Sequence, residues 1–254
     1  MRYLTAEELK ETARDHAHEI LERCAGKSVR DLFAIRVFNT YHDRMFGDRA
    51  KTRLLDLGSA SGAFAEQLSE SGYRDITGID IDDYVSPERK SVFRSFRTAD
   101  LATERLPWPD RSFDAIAAWC VLPHLENPFH CIREIARVMA PGGLFIFTAP
   151  HLGSKPSRRY FLAHGDFKSY RATNNHIALF TPGVVQKTVL RYFAPIATEY
   201  HFRPKIFRGP KGKLRQAAYR LARLQPAWQK TLDYRWAYNA VYVLRKQQAD
   251  AHAP

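Results

Sequence analysis

The sequence has little cysteine, no long apolar run and, past its midpoint, almost no acid. Its three cysteines, Cys24, Cys120 and Cys131, form no CxxC pair and no even set. That argues against a disulfide framework or a zinc knuckle and makes a reducing cytoplasm the expected compartment. No apolar stretch approaches the ~20 residues needed to cross a bilayer. The chain turns charged straight after Met1-Arg2-Tyr3-Leu4-Thr5, so no signal-peptide core is expected. Residues 151–254 hold 4 Asp/Glu against 19 Lys/Arg, whereas residues 1–150 hold 23 against 20. The net charge of +12 therefore arises entirely in the last two-fifths of the chain. Such asymmetry is a statement about partners rather than about fold.

What is present fits one folded domain spanning 1–254, since the chain is long enough for a large α/β core with elaborations. Residues 1–50 read as a helical cap of two helices. Thr5 with Glu8 makes a capping box, and Leu9, Ala13, Ala17, Ile20 and Cys24 form one apolar stripe before Gly26. The second helix, near 28–46, carries Phe33, Phe38, Tyr41 and Phe46, more apolar surface than one stripe holds, and is expected to wall a pocket. Across 51–150 short β-type runs alternate with helices. The strands are Arg53–Leu57, Ile76–Ile81, Phe113–Trp119 and Leu144–Ala149, and the helices are 62–71 and 128–139. Pro141-Gly142-Gly143 reads as the turn into the fourth of these strands. A helix near 182–193 and strands at Ile196–Phe202 and Ala240–Leu244 follow. Strands alternating with helices predict a mostly parallel, doubly wound, Rossmann-like sheet covered on both faces.

The chemistry-bearing pattern begins where the first strand ends, in Leu55-Asp56-Leu57-Gly58-Ser59-Ala60-Ser61-Gly62. Glycines at 58 and 62 allow a sharp turn and a close backbone approach to a ligand at the next helix's amino end. The G-x-A-x-G spacing departs from the G-x-G-x-x-G of a dinucleotide fold. Asp80, closing the second strand, is placed to accept hydrogen bonds from both hydroxyls of a ribose. Asp100, in Thr98-Ala99-Asp100-Leu101, is a candidate acceptor for an adenine amino group.

These segments, with Leu106-Pro107-Trp108-Pro109-Asp110-Arg111-Ser112-Phe113-Asp114, VLPHLENP and REIARVMAPGGLFIFTAP, resemble the core of class I S-adenosylmethionine-dependent methyltransferases. The likeness covers 53–149 and is to the branch acting on small molecules, lipids and sugars. It implies seven strands in the order 3-2-1-4-5-7-6, the last antiparallel, with insertions on the substrate side. It also implies S-adenosyl-L-methionine as co-substrate, held by Asp56, Gly58, Ser59, Ala60, Gly62, Asp80, Ile81, Asp100, Leu101 and Trp119. Ala60 replaces the family's middle glycine, which is tolerated at negative φ and weakens binding if the position needs φ above zero.

A sulfonium leaves readily, so the protein mainly aligns the acceptor, and a base assists only where a hydroxyl must lose its proton. His124 is the first candidate base, ahead of His151 and His176; each also reads as an ordinary packed or exposed histidine. Neither an N/D-P-P-Y motif nor an E-x-x-E-H metal motif follows the fourth strand, so no metal is expected. Cys120 reads as a small buried residue. Residues 203–224, basic with Leu214, Ala218, Leu221 and Leu224 at helical spacing, suit an anionic membrane surface or a phosphorylated acceptor. The expected reaction is methyl transfer to a small-molecule or lipid- or sugar-linked hydroxyl by a cytoplasmic protein, peripheral at the membrane surface where the basic run binds lipid. Two alternatives stay open: an RNA methyltransferase using the basic region as a phosphate track, and a non-catalytic S-adenosylmethionine-binding module.

Overall fold

A computed structural model describes residue 8 and residues 29–171, 174–201, 212–214, 217, 221 and 226–248. Except for Glu8, the first expected helix lies outside the described residues, as does most of 203–224. Seven strands form one sheet: β1 (Arg53–Leu57), β2 (Asp75–Asp80), β3 (Ser95–Thr98), β4 (Phe113–Ala118), β5 (Met139–Pro150), β6 (Phe193–His201) and β7 (Asn239–Lys246). Their spatial order is β3-β2-β1-β4-β5-β7-β6. β1 through β5 pair in parallel, and β7 runs antiparallel to both β5 and β6. This is the expected doubly wound sheet with its last strand reversed.

Strict alternation along each central strand divides the core between two faces. Leu54, Ala115, Leu144, Ile146 and Val243 point to one face. Their neighbours Leu55, Leu57, Ile116, Phe145 and Phe147 point to the other. Helix α1 (Val29–Met45) and helix α2 (Ala63–Glu70) cover the first face, with Phe38 and Tyr73 meeting edge to face at 5.6 Å. The Tyr41 hydroxyl of α1 donates to Glu199 of β6, while Asn39 donates to Ser71 at 3.2 Å. Polar contacts thus tie α1 both to the end of α2 and to the far edge of the sheet.

Helix α3 (Pro128–Val138) covers the second face. The Asn127 side chain accepts from the His130 N–H at 3.1 Å, and Pro128 occupies the first turn, where its missing N–H costs nothing. Cys131, Ile132, Ile135 and Val138 are buried and Arg133 is exposed, the stripe expected of a helix lying on a sheet. Fully burying one such aliphatic side chain stabilises by about 1.5–3 kcal/mol. Arg137 donates to Glu134 and Asp110 and to the carbonyls of Leu106 and Trp108, fastening the loop before β4 onto α3.

Several boundaries differ from the sequence reading. β5 begins at Met139, and Gly142 (φ +79°) sits inside it as a bulge, where the pairing register with β4 shifts between Phe113 and Ala115. The helix expected over 182–193 stops at Lys187 as α5 (Pro182–Lys187), and a 3-10 turn spans Val189–Arg191. Thr188, at φ −120°, turns its hydroxyl onto the Val184 carbonyl at 2.6 Å, in a stretch crowded with β-branched Val184, Val185 and Val189. Two further helices follow β5 and β6, α4 (Lys155–His164) and α6 (Pro226–Trp236). The two meet: the Lys155 ammonium lies 5.5 Å over the Trp236 ring, and His151 pairs with the Tyr234 carbonyl at 2.8 Å.

Candidate functional site

The loop from β1 to α2 is built from left-handed residues. Gly58 (φ +75°), Ala60 (φ +45°) and Gly62 (φ +78°) alternate with residues of ordinary φ. A β-carbon at Gly58 would lie 2.2 Å from Val121 Cγ2, so only glycine fits. The Gly58 and Ser59 amides donate to the Ile79 carbonyl at 2.8 and 3.2 Å, and Ser59 Oγ donates to the Asp56 carbonyl at 2.8 Å. Ala60 takes the positive φ that the sequence reading marked as costly. An L-residue there carries about 1–2 kcal/mol of strain.

Asp80 meets that strained residue directly. One carboxylate oxygen accepts the Ala60 N–H at 2.8 Å and the other the Ile81 N–H at 2.7 Å. Burial nevertheless raises Asp80 to about 6. Asp56 lies beneath the loop, 2% exposed, with Oδ2 buried and unpartnered. Burial and then the Asp80 charge raise it to about 7. A buried, unpaired carboxylate beside a second acid suits a cationic ligand group.

Asp100 caps the turn after β3: its oxygens accept from the Ala102 N–H at 2.8 Å and the Thr103 hydroxyl at 2.7 Å, and Leu101 is buried. Each carboxylate oxygen retains a lone pair for a further donor. Trp119 follows β4, packed edge to face on Phe64 at 5.5 Å with its indole nitrogen buried and unpartnered.

Beside Trp119 opens a cleft of about 400 Å³, its mouth included. Phe33 and Ala34 of α1, Phe64 of α2 and Val241 of β7 supply its apolar wall. Cys120, Thr148, His201 and Asn239 supply its polar points, and among the described residues no Asp, Glu, Lys or Arg lines it. Of the four aromatic residues at 33–46 expected to wall a pocket, Phe33 alone lines this cleft. Phe38 and Tyr41 are buried in the core, and Phe46 packs on His42 at 5.2 Å. Cys120 is not the buried filler expected of it. It is half-buried, at φ +57°, and its N–H donates to the Thr148 hydroxyl at 2.7 Å.

The three histidines singled out by position separate into two places. His124 and His176 stack with ring centres 4.4 Å apart, their Nδ1 atoms donating to the carbonyls of Asn175 (3.2 Å) and Ser169 (2.7 Å). His151 packs on Tyr234 and Tyr200, and burial holds it below the usual imidazole range. None of the three lines the cleft. His201, at the end of β6 and 4.9 Å from the Phe33 ring, does, and the sequence reading missed it. Its signal was positional, a histidine closing a strand, but the boundary drawn one residue later hid it. Among the described residues no group of three or more His, Cys, Asp or Glu is arranged to hold a metal ion, and no helix is long and apolar enough to cross a membrane.

A reversed-end seven-stranded sheet, a left-handed glycine loop after β1 and an acid closing β2 together define the class I S-adenosylmethionine-dependent methyltransferase fold. Residues 55–147 match the family described as "Methyltransferase domain". It is 31% identical over 126 residues to the demethylmenaquinone methyltransferase of Tropheryma whipplei (strain Twist), covering 48% of this chain and 52% of that protein. It is 35% identical over 103 residues to the 27-O-demethylrifamycin SV methyltransferase of Amycolatopsis mediterranei, covering 37% of each. The chain thus spans about half or less of these curated relatives. An S-adenosylmethionine-dependent methyltransferase from Archaeoglobus fulgidus superposes with a TM-score of 0.58 at 16% identity, over 90% of this chain and 99% of that one, a likeness of fold. S-adenosylmethionine is the co-substrate of this class. The unpartnered Asp56 oxygen, the cradle that a β-carbon at Gly58 would fill and the amino end of α2 fit its cationic amino-acid part.

Proposed function

We propose that this protein transfers the methyl group of S-adenosylmethionine to an uncharged, apolar acceptor, a small molecule or the head of a lipid- or sugar-linked one, at a hydroxyl. The observation that carries this reading is the uncharged, aromatic cleft opening beside the glycine loop. Bound S-adenosylmethionine supplies a methyl carbon already activated by its sulfonium. The remaining work belongs to the chain. Gly58, Ser59, Ala60 and Gly62 cradle the co-substrate, Asp56 faces its ammonium, Asp80 with Ile81 meets its ribose, and Asp100 with Leu101 its adenine.

Trp119 and Phe64, which pack on each other in the cleft wall, fix the direction from which an acceptor approaches. Phe33, Ala34 and Val241 exclude water and hold the acceptor's apolar body. His201 then takes the hydroxyl proton. His124, the residue favoured by position, instead binds the Asn175 carbonyl and stacks on His176. The basic composition of residues 203–224 supports a peripheral position at an anionic membrane surface. RNA is the less favoured acceptor because, among the described residues, no Lys or Arg lines the cleft to meet a phosphate.

The test is label transfer from methyl-tritiated S-adenosylmethionine into a host extract, partitioned between organic solvent, RNA and small aqueous metabolites. Label in the organic phase or in an uncharged metabolite is expected. Label removed by nuclease would replace this reading with RNA methylation, and label in a phosphorylated metabolite would contradict the uncharged acceptor.

A further inference from the structure

Helix α4 has no buried residue, yet it is well formed. Ser154 caps its start by accepting the Ser157 N–H at 3.3 Å, and Gly165 (φ +70°) closes its end. A helix with no core-facing side presents its apolar groups outward. Leu162 is 85% exposed and Phe161 43%, the latter stacked on Phe167 at 4.7 Å. Arg158 and Arg159 lie four and three residues before Leu162, hence beside it on the helix surface, and both are exposed.

Helix α6, clamped to the start of α4 through Tyr234 and Trp236, continues the pattern with Trp228 68% exposed and Lys230 and Arg235 exposed. Leu214 and Leu221, helical and seven residues apart, are 74% and 68% exposed. The surface adjoins the cleft: Thr148 stands three residues before His151, and Asn239 three residues after Trp236.

We infer that α4 and α6 form a docking surface for an anionic lipid bilayer, which sets the mouth of the cleft against the membrane. Charge complementarity selects this partner, since Arg158 and Arg159 flank Leu162, Lys230 and Arg235 share α6 with Trp228, and Asp166 and Asp233 are the only acids on the two helices and the turn between α4 and Lys168. Aliphatic Leu162 finds no stacking partner on RNA but gains by entering the acyl boundary, while Trp228 suits the headgroup level. The inference rests on the membrane-side reading above and moves it from the basic run to two helices outside that run.

The test is flotation of the full chain, without methyl donor, on phosphatidylcholine vesicles and on vesicles of equal parts phosphatidylcholine and phosphatidylglycerol. Binding is expected only to the anionic vesicles, falling as salt rises. Leu162→Ser should weaken it about ten-fold, as burying a leucine implies. Arg158→Glu with Arg159→Glu should abolish it, with thermal melting unchanged for these exposed sites. Bromine-labelled acyl chains should quench the emission of Trp228, and Trp228→Phe should remove that quenching. Equal binding by wild type and variants overturns the inference, as does binding to homopolymeric RNA with none to vesicles. Because no methyl transfer is measured, a failure here leaves the reaction standing, and failed label transfer leaves docking standing.

Discussion

Gly58→Ala should damage the site more than any other single methyl group. Two independent costs meet at this position. At φ +75° an L-residue carries about 1–2 kcal/mol of backbone strain. The new β-carbon would also fall 2.2 Å from Val121 Cγ2 and 3.3 Å from its Cγ1. Overpacking of that kind costs about 1–3 kcal/mol. Together they predict a loss of about 2–5 kcal/mol in urea unfolding. They also predict at least about ten-fold weaker S-adenosylhomocysteine binding by calorimetry, since the loop must move to relieve them. The two costs separate in a double-mutant cycle. Val121→Ala removes both Cγ atoms, so in that background Gly58→Ala should cost only the backbone share, giving a coupling of about 1–3 kcal/mol. A Gly58→Ala protein within about 0.5 kcal/mol of wild type would refute the reasoning. So would full cost persisting in the Val121→Ala background, which would leave the contact with no part in it.

Ala60→Gly should act in the opposite sense. Relief of strain, offset by glycine's greater unfolded-state entropy, predicts about 0–1 kcal/mol of added stability and tighter S-adenosylhomocysteine binding; a lowered melting temperature would count against the strain. Asp56 is raised from 3.8 to about 7, so folding favours its protonated form. Its contribution is whole below about pH 4 and is lost as the pH rises through about 7. Asp56→Asn, neutral throughout, should flatten the fall in melting temperature over that window and leave the smaller slope of Asp80, raised to about 6. Identical pH slopes would remove Asp56 from the account. His201→Ala should lower label transfer without changing S-adenosylhomocysteine affinity, and raising the pH should partly restore it, whereas His124→Ala should alter transfer far less. The reverse ranking would return the base to His124.

The central sheet was legible because its strands are short, mostly apolar runs and its helices end on glycine or begin on Asn-Pro and Thr-Pro. Asp56, Gly58, Gly62 and Asp80 were legible for a related reason: a strand that ends in a glycine-rich turn leaves its closing residues at one edge. The rest depends on contacts between distant segments. β3 has only half-buried and exposed side chains, so its four residues carry no apolar run. α4 is held by its caps and by contacts with α6 across some eighty residues of chain, and no apolar stripe announces it. His201 becomes a site residue only because α1 crosses the sheet and sets Phe33 against it. Conversely, His124 looked well placed along the chain, but the 3-10 turn at Leu122–His124 carries it away from the cleft toward His176.

The most direct test of the central claim is to narrow the cleft while sparing the co-substrate cradle. Phe33, half-buried at the cleft wall on α1, lies outside the glycine loop, so Phe33→Trp adds bulk where the acceptor's apolar body is placed. Calorimetry with S-adenosylhomocysteine and tritium transfer into the host extract would be run on one preparation. Unchanged S-adenosylhomocysteine affinity with transfer reduced by about 10²-fold, the cost of a displaced acceptor, is the predicted result. Unchanged transfer would mean that the acceptor does not occupy this cleft.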